Sequence, residues 1–321
     1  MIDLIVSAAL VLAPASETKR SIATYVAAYP HTAIALGTVE NGRQSAYFKR
    51  GSSVTQAIDD RTSFQIGSIT KTFTGTLLAQ MVLAGDVRLD DPIQKYLPAG
   101  VKAPSYRGTP ITLLSLAEQN SGLPRLPPNL DLDATKMSKP YASYTLQMLY
   151  DGLDHLTLTR KPGTRYEYSN FGVTLLGQLL SNAAHSTYAD LVEERILRPL
   201  GMNDTVVYGT PASRTKLVPG FAGDGSPAAP WDFGTLGGAG SVESDLHDMI
   251  LYLRANMAAP DGRLGKAMKL AQDPRWKFDE GGVPNQIGLL WMTSPMSGDT
   301  WHNGETGGYH ADISFSRYLV Q

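Results

Sequence analysis

The sequence predicts an α/β (α+β) fold: an antiparallel sheet flanked by helices is built from both ends of the chain, and a mostly helical domain is inserted between them. Apolar and polar residues alternate near the start of the chain, and strand-like runs return at 287–292 and 311–318. The middle, about residues 75–205, consists mostly of helical segments punctuated by Pro and Gly. We therefore assign 17–74 and 206–321 to the sheet domain and 75–205 to the helical domain, with the candidate site between them.

The first elements follow from local signals. Residues 17–28 have the pattern of a short helix, and 32–50 alternate around Asn41-Gly42, the strongest short-range hairpin signal. A short strand over 62–66 then leads into a helix whose apolar residues recur at helical spacing up to a C-capping Gly85. Ser68 therefore lies where a strand gives way to a helix.

The later helices are predicted from the same periodicity. They cover 92–97, 111–119, 144–153, 171–182, 188–197 and 244–257.

Composition excludes several classes of function. Hydrophobic residues make up 42% of the 321 residues and charged ones 18%, which is typical of a chain with a sizeable core. The net charge is −2 with no basic run, so we expect no nucleic-acid partner. The chain has no cysteine, which excludes disulfides, a thiolate nucleophile and Cys-ligated metals.

The start of the chain contains a candidate export signal, assigned to residues 1–16. Residues 4–15 are apolar and end in Ala13-Pro14-Ala15, a sequence typical of a cleavage site, although Asp3 stands where a basic residue is usual. No segment reaches the roughly 18–20 apolar residues that span a bilayer, so we expect no transmembrane segment. The predicted location is periplasmic or secreted if the signal is used, and cytoplasmic otherwise.

A serine followed three residues later by a lysine is the first chemical signal. At a helix start this spacing puts both side chains on one face, where an amine can take the serine proton. The chain has three copies, which begin at Ser16, Ser68 and Ser213. Only Ser68–Lys71 lies at a strand-to-helix junction that is followed by a helix with periodic apolar residues. The alternative, without any catalytic role, is a serine that caps the helix and a lysine exposed to solvent.

Two further segments carry chemistry. In Tyr168-Ser169-Asn170 the phenol can act as a general base only if nearby cations lower its pKa, and Lys71 could supply that charge. The run from Trp301 to Tyr309, which contains His302-Asn303-Gly304-Glu305, is Gly-rich, so a ligand could approach its backbone closely. The alternatives are an ordinary tyrosine hydrogen bond and a hairpin turn.

Together and in this order, these elements resemble the serine β-lactamase and penicillin-binding-protein superfamily, in particular its class C β-lactamase branch. That branch includes DD-carboxypeptidases/endopeptidases and carboxylesterases. Four other segments are similar to family landmarks: Phe64–Lys71, Leu89–Pro98, Ser121–Pro124 and Pro199–Thr205. The resemblance runs from about residue 20 to the end.

The resemblance implies a role for each matching residue. Ser68 would be the acylated nucleophile, Lys71 would activate it, and Tyr168 would be the general acid/base. Asn170 would bind the amide of the acyl group. His302, Asn303, Gly304 and Glu305 would bind substrate along a strand edge, with the N–H groups of Glu305 and Ser68 as the oxyanion hole. No cofactor and no metal are implied, and the partner would be a β-lactam, a D-Ala-D-Ala peptide or an ester.

The chain departs from the family pattern in two places. His302-Asn303-Gly304 stands where Lys-[Ser/Thr]-Gly is usual; because a histidine titrates near pH 6.5, we hypothesise that protonation of His302 controls the use of carboxylate-bearing substrates. Family members also continue beyond the strand at 311–318 into another strand and a terminal helix. The resemblance therefore implies that these C-terminal elements are missing here, which would leave a sheet edge exposed.

Three functions stay open. The first is a serine hydrolase that forms an acyl-enzyme with D-Ala-D-Ala-type peptides and/or β-lactams, the second a carboxylesterase for short-chain esters, and the third a non-catalytic penicillin-binding sensor. Other chemistries lack their patterns, because the chain has no Gly-x-Ser-x-Gly, no His-Glu-x-x-His and no dinucleotide-binding glycine motif. Trp231-Asp232-Phe233 could line the cleft or simply pack.

Overall fold

The computed structural model describes residues 15–131, 139–208, 216–235 and 237–316. Within them the chain forms a mixed α/β fold of helices and antiparallel sheets, and the predicted fold class is confirmed. The candidate export signal lies almost wholly in residues 1–14, outside the described residues. The α-helices are α1 Ala15–Ala28, α2 Thr70–Ala84, α3 Leu113–Ala117, α4 Leu146–Asp154, α5 Asn170–Ala184, α6 Tyr188–Val192, α7 Arg198–Leu200, α8 Gly237–Gly240, α9 Leu246–Ala258 and α10 Arg263–Gln272.

The strands form one larger sheet and several smaller ones. The longer strands are β1 Ala33–Glu40, β2 Arg43–Arg50, β3 Ser63–Gln65, β9 Val242–Asp245, β10 Trp276–Glu280, β11 Val283–Ile287, β13 Asp299–Glu305 and β14 His310–Ser316. Two-residue strands are β4 Ser105–Tyr106, β5 Thr109–Pro110, β6 Val206–Val207, β7 Gly220–Phe221, β8 Pro227–Ala228 and β12 Met292–Thr293. The largest sheet has the order β10-β11-β12-β13-β14, a second has the order β3-β9-β6, and β1 pairs with β2. All these pairs are antiparallel.

The predicted N-terminal hairpin is present. Asn41 and Gly42 both have positive φ, 50° and 75°, as a two-residue turn between twisted antiparallel strands requires. The register runs from Ala33 opposite Arg50 to Glu40 opposite Arg43.

Helix α2 lies at the centre of the molecule and carries Lys71. Twelve of its 15 residues are buried, and it ends at Gly85, which has the left-handed conformation expected of a C-cap. Its four buried threonines are all hydrogen-bonded, so the helix can be polar and still fully enclosed. They are Thr70, Thr72, Thr74 and Thr76.

The Gly-rich run forms the short helix α8, which packs between α2 and α5. A Cβ at Gly177 of α5 would lie 3.2 Å from Cα of Gly238, so the two backbones touch because neither residue has a side chain. Thr74 Oγ1 donates to the carbonyl of Gly238 at 2.7 Å and ties α8 to α2. This contact fixes the next carbonyl, that of Ala239, beside the candidate site.

Two predicted elements are wrong in detail. The strand expected at 287–292 is interrupted, because residues 288–291 turn aside: Leu289 N–H donates to Ala271 O and Leu290 N–H to Ala117 O, and Leu290 has φ 67°. The helix expected at 188–197 stops being α-helical after Val192 and continues as a π-helical turn. The first departure results from tertiary hydrogen bonds that periodicity does not encode. The division into a sheet domain and a helical domain stays a prediction.

A membrane-spanning helix must be both long and apolar. Across the parts of the chain that the structure describes, no helix is both long and apolar enough to cross a bilayer.

Candidate active site

Ser68 lies in a tight turn between β3 and α2. The turn, Gly67–Ile69, is a 3₁₀ helix that runs directly into α2, and Gly67 enters it with a left-handed φ of 48°. A side chain at Gly67 would also collide with the backbone N of Glu305, 2.6 Å from the position its Cβ would take. The sequence-based placement of Ser68 at a strand-to-helix junction therefore agrees with the structure.

Lys71 and Tyr168 converge on Ser68. Lys71 Nζ lies 2.9 Å from Ser68 Oγ and donates a 2.7 Å hydrogen bond to the carbonyl of Ala239. Tyr168 Oη, which comes from 100 residues further along the chain, donates to the same Ser68 Oγ at 2.7 Å. The Lys71 side chain is completely buried. The serine oxygen is thus in contact with an amine and with a phenol.

Burial changes the pKa of these two groups in opposite directions. Burial, with a smaller contribution from the positive charge of Arg125, lowers the pKa of Lys71 well below its usual value. Burial also raises the pKa of Tyr168 to about 12, and the hydrogen bond to Ser68 opposes this rise only in part. The charge of Arg125 does lower the pKa of the phenol, but burial outweighs it, so the net lowering that a general base would need is not found in the resting site.

Tyr168 and Asn170 are held at the start of helix α5. Ser169 caps the helix by accepting a 2.8 Å hydrogen bond from Gly172 N–H, and its hydroxyl donates to the carbonyl of Pro124. The carbonyl of Arg125 accepts from Asn170 N–H at 2.9 Å. The Oδ1 atom of Asn170 is buried and has no hydrogen-bond partner among the described residues, so it is available to a ligand in the cleft.

The edge of strand β13 runs beside Ser68. A Cβ at Gly304 would lie 2.0 Å from the carbonyl O of Ile66 and 2.9 Å from the backbone N of Ser68. Thr306 N–H donates to Tyr309 O at 2.9 Å, and hydrogen bonding alternates along antiparallel pairs, so Glu305 N–H points away from β14 and toward Ser68. The glycine is needed so that two protein segments can approach each other, whereas the sequence suggested an approaching ligand.

His302 lies in the interior, and its switching role is wrong. Its side chain is 4% exposed, and burial together with the nearby Lys71 lowers its pKa to about 3. A histidine with this pKa stays neutral at every physiological pH, so its protonation cannot control which substrates are used. The neighbouring Asn303 is exposed, because side chains alternate along β13.

A small aromatic cleft opens beside Ser68. Trp231 and Phe233 line it, so these residues do more than pack in the core, and Tyr141 completes the wall. The Tyr141 ring is edge-on to Trp231 at 5.2 Å and stacked on Phe233 at 5.7 Å. Tyr141 belongs to no motif, so sequence analysis did not single it out.

The described residues of the other two Ser-x-x-Lys copies lie elsewhere. Ser16 and Lys19 are exposed on α1, and Ser213 lies outside the described residues. Lys216 pairs with Asp204 at 2.6 Å. Among the residues that the structure describes, no group of three His, Cys, Asp or Glu could hold a metal ion.

Comparison with known proteins adds sequence and fold relatives. A family model described as Beta-lactamase matches residues 19–315. The D-alanyl-D-alanine-carboxypeptidase/endopeptidase AmpH of Escherichia coli K12 is 34% identical over 269 residues, which cover 80% of this chain and 68% of that protein. A β-lactamase of the same organism is 27% identical over 78% of this chain and 62% of its own length.

Solved structures share the fold. A β-lactamase/D-alanine carboxypeptidase from Yersinia pestis, solved with citrate, superimposes with a TM-score of 0.79 at 26% identity and covers 95% of this chain and 91% of its own. A class C β-lactamase from Rhodobacter sphaeroides superimposes with a TM-score of 0.78 at 20% identity, covers 95% and 90% of the two chains, and supports the fold alone. The resemblance to the serine β-lactamase and penicillin-binding-protein superfamily and the prediction of a serine hydrolase are confirmed, and the chain belongs to the β-lactamase family.

Proposed function

We propose that the protein hydrolyses D-Ala-D-Ala-type peptides and/or β-lactams through an acyl-enzyme on Ser68. The observation that carries this proposal is the contact of one serine oxygen with both Lys71 and Tyr168, at 2.9 and 2.7 Å. The names of the relatives, a D-alanyl-D-alanine-carboxypeptidase/endopeptidase and a β-lactamase, support this substrate class.

Acylation begins with Lys71 as the base. Burial lowers the pKa of Lys71 and so favours the neutral amine, the form that accepts the Ser68 proton while Oγ attacks the substrate carbonyl. Tyr168 is the acid: its phenol keeps its proton and donates it to the departing nitrogen. The ammonium of Lys71, 4.9 Å from the centroid of the Tyr168 ring, then stabilises the phenolate and returns the proton.

Two amide N–H groups stabilise the tetrahedral intermediate. Ser68 N–H and Glu305 N–H lie on adjacent segments, and fixed backbone dipoles of this kind form an oxyanion hole. Asn170 Oδ1 accepts the amide N–H of the acyl group, which provides its missing hydrogen bond. Water then attacks the acyl carbonyl and gives a proton to Lys71, while Tyr168 donates its proton to the departing Ser68 Oγ. The Lys71 ammonium finally returns the proton to the phenolate, which restores the resting site.

The test is a time course with a chromogenic cephalosporin, followed by intact-mass measurement of the same sample. Sustained turnover supports the β-lactamase activity, and a stoichiometric adduct that maps to Ser68 and persists supports a penicillin-binding peptidase. Ser68→Ala should show neither. Tyr168→Phe should slow acylation by about 100-fold or more, because general acid catalysis is lost while the packing of the ring is kept. An adduct on any residue other than Ser68 would contradict the mechanism.

A carboxylesterase for short-chain esters is the second candidate. The wall of Tyr141, Trp231 and Phe233 favours it, because aromatic side chains bind neutral acyl groups without a charged partner. Turnover of 4-nitrophenyl acetate and butyrate by wild type, with no cephalosporin turnover and no penicillin adduct, would establish this function instead. A single acylation without release, together with inert peptides and esters, would indicate a penicillin-binding sensor.

A location in the periplasm or outside the cell suits substrates of this class. Fractionation of cells that express the full chain tests this part of the proposal.

A further inference from the structure

The reacting centre lacks an obvious partner for a carboxylate. D-Ala-D-Ala peptides and β-lactams both carry one, attached two bonds from the nitrogen that leaves. Lys71 is completely buried, its Nζ is held by Ser68 Oγ and the Ala239 carbonyl, and burial lowers its pKa. His302 is buried too, with its Nδ1 beside the Asn303 carbonyl. Neither can supply a permanent positive charge to this group.

Arg125 is a cation at the same site that makes no ion pair with the residues the structure describes. Its guanidinium carbon lies 4.9 Å from the centroid of the Tyr168 ring, the same distance as Lys71 Nζ. The residue is exposed, and among the described residues no carboxylate lies within ion-pair distance of it. An arginine cannot be deprotonated in a protein, so its charge is permanent.

The backbone of Arg125 is fixed relative to the catalytic phenol. Its carbonyl accepts hydrogen bonds from Asn170 N–H at 2.9 Å and Phe171 N–H at 3.3 Å, and the preceding Pro124 carbonyl accepts from the Ser169 hydroxyl at 2.6 Å. Tyr168 immediately precedes the residues that donate these hydrogen bonds. The backbone of Arg125 is therefore fixed beside the catalytic tyrosine, and its guanidinium lies over the ring of that residue.

We propose that Arg125 binds the carboxylate of the substrate's leaving group and so sets the preference for peptides and β-lactams over neutral esters. This inference rests on the proposed function. To receive a proton, the leaving nitrogen must lie at Tyr168 Oη, and the carboxylate is two bonds further on, close to the ring over which the Arg125 guanidinium lies. The planar guanidinium offers two parallel N–H donors to such a group.

Two acidic side chains near the site disfavour a carboxylate at other positions. Glu305 lines the aromatic cleft with Ser68, so its charge disfavours an anionic group there. Glu280, at the end of β10, acts electrostatically on Tyr168 but makes no ion pair with Arg125. An anionic leaving group is therefore directed to Arg125 and away from the cleft that receives the acyl group.

The experiment compares substrates that differ only in this charge. Acylation of wild type and Arg125→Gln is followed by intact mass with benzylpenicillin and its methyl ester, and hydrolysis with an acyl-D-Ala-D-Ala peptide and its C-terminal amide. Arg107→Gln is the matched control, because Arg107 is also an exposed arginine over a tyrosine ring, 5.4 Å from the centroid of Tyr106. Using the ratio of acid to neutral substrate cancels any change in the pKa of Lys71 that loss of the Arg125 charge causes.

We expect Arg125→Gln to lower the acid-to-neutral ratio of acylation or kcat/KM by about 10- to 100-fold, the usual effect of a lost charge-assisted hydrogen bond. Arg125→Lys should restore part of it, and Arg107→Gln should leave it unchanged. Equal loss for acid and neutral substrates, or an unchanged ratio, would overturn the assignment of Arg125 while the proposed function stands. Failure of wild type to react with any of the four compounds would overturn both.

Discussion

The substitution Gly304→Ala should disrupt the oxyanion hole, because its added methyl group pushes strand β13 away from the turn that carries Ser68. The Cβ of Gly304→Ala would lie 2.0 Å from the carbonyl O of Ile66 and 2.9 Å from the N of Ser68, although real Cβ contacts essentially never fall below 3.0 Å. Both obstacles are backbone atoms, which cannot rotate away. Strand β13 and the Ser68 turn must therefore move apart by at least about 1 Å, and a displacement of this size costs about 100-fold in rate.

The size of the effect follows from the two N–H donors. Because the shift moves Glu305 N–H away from Ser68 N–H, we expect kcat/KM to fall by about 100- to 1000-fold, the cost of losing one oxyanion donor. The free energy of unfolding should fall by only about 1–3 kcal/mol, as is usual for overpacking. Gly223→Ala is the matched control, because nothing lies within 4 Å of its Cβ and its φ is not positive.

The assay combines initial rates on whichever substrate wild type turns over with urea unfolding of the same preparations. A Gly304→Ala protein that is folded and keeps kcat/KM within about threefold of wild type would refute the reasoning, since the N–H pair would then not need its present spacing. A variant that fails to fold would be detected by the loss of its urea unfolding transition. We expect Gly304→Ser to have the same effects as Gly304→Ala, because it places a Cβ at the same position.

The remaining predictions concern titration. With a neutral substrate, kcat/KM should rise with pH through the lowered pKa of Lys71, because only the neutral amine accepts the serine proton, and should show no falling limb from Tyr168 below its pKa of about 12. His302→Gln should leave the ratio of carboxylate to neutral substrates unchanged between about pH 5 and 8, because His302, with a pKa of about 3, is already neutral there; a changed ratio would contradict its interior role. Burial raises the pKa of Asp245 from 3.8 to about 6, so the folded protein holds this proton more tightly and its stability should fall as pH rises from about 4 to 6, by at most about 3 kcal/mol. Asp245→Asn keeps the cap on α9 and should flatten that part of the pH dependence in urea unfolding; an unchanged slope would mean that another acid is responsible.

Local elements could be predicted because their causes are local. The Asn41-Gly42 turn requires positive φ, and the C-cap at Gly85 requires a residue without a Cβ penalty, so a few letters are enough to identify them. The predicted strand at 287–292 is wrong for the opposite reason. Its backbone bonds to Ala271 and Ala117, partners that are close only in the folded chain.

The composition of the site was predictable only where the residues belong to motifs. Ser68, Lys71 and Tyr168 stand in patterns whose chemistry is recognisable, and they converge as that chemistry requires. Arg125 and Tyr141 belong to no pattern of this kind, since any arginine or tyrosine in a loop has the same appearance. Arg125 becomes important because the folded chain places it over the phenol of Tyr168. The hydrogen bonds from helix α5 to the carbonyl of Arg125 hold it there.

The acid and base roles could not be assigned from the sequence because they depend on burial. Lysine is charged when protonated and tyrosine when deprotonated, so one apolar environment lowers the pKa of Lys71 and raises that of Tyr168. Two titratable groups driven apart in this way become a base and an acid by their surroundings alone. The same burial keeps His302 neutral, which removes the charge expected from the third motif and leaves carboxylate binding to an exposed arginine. A more open site with the same residues would keep Lys71 charged, and the serine would then have no base.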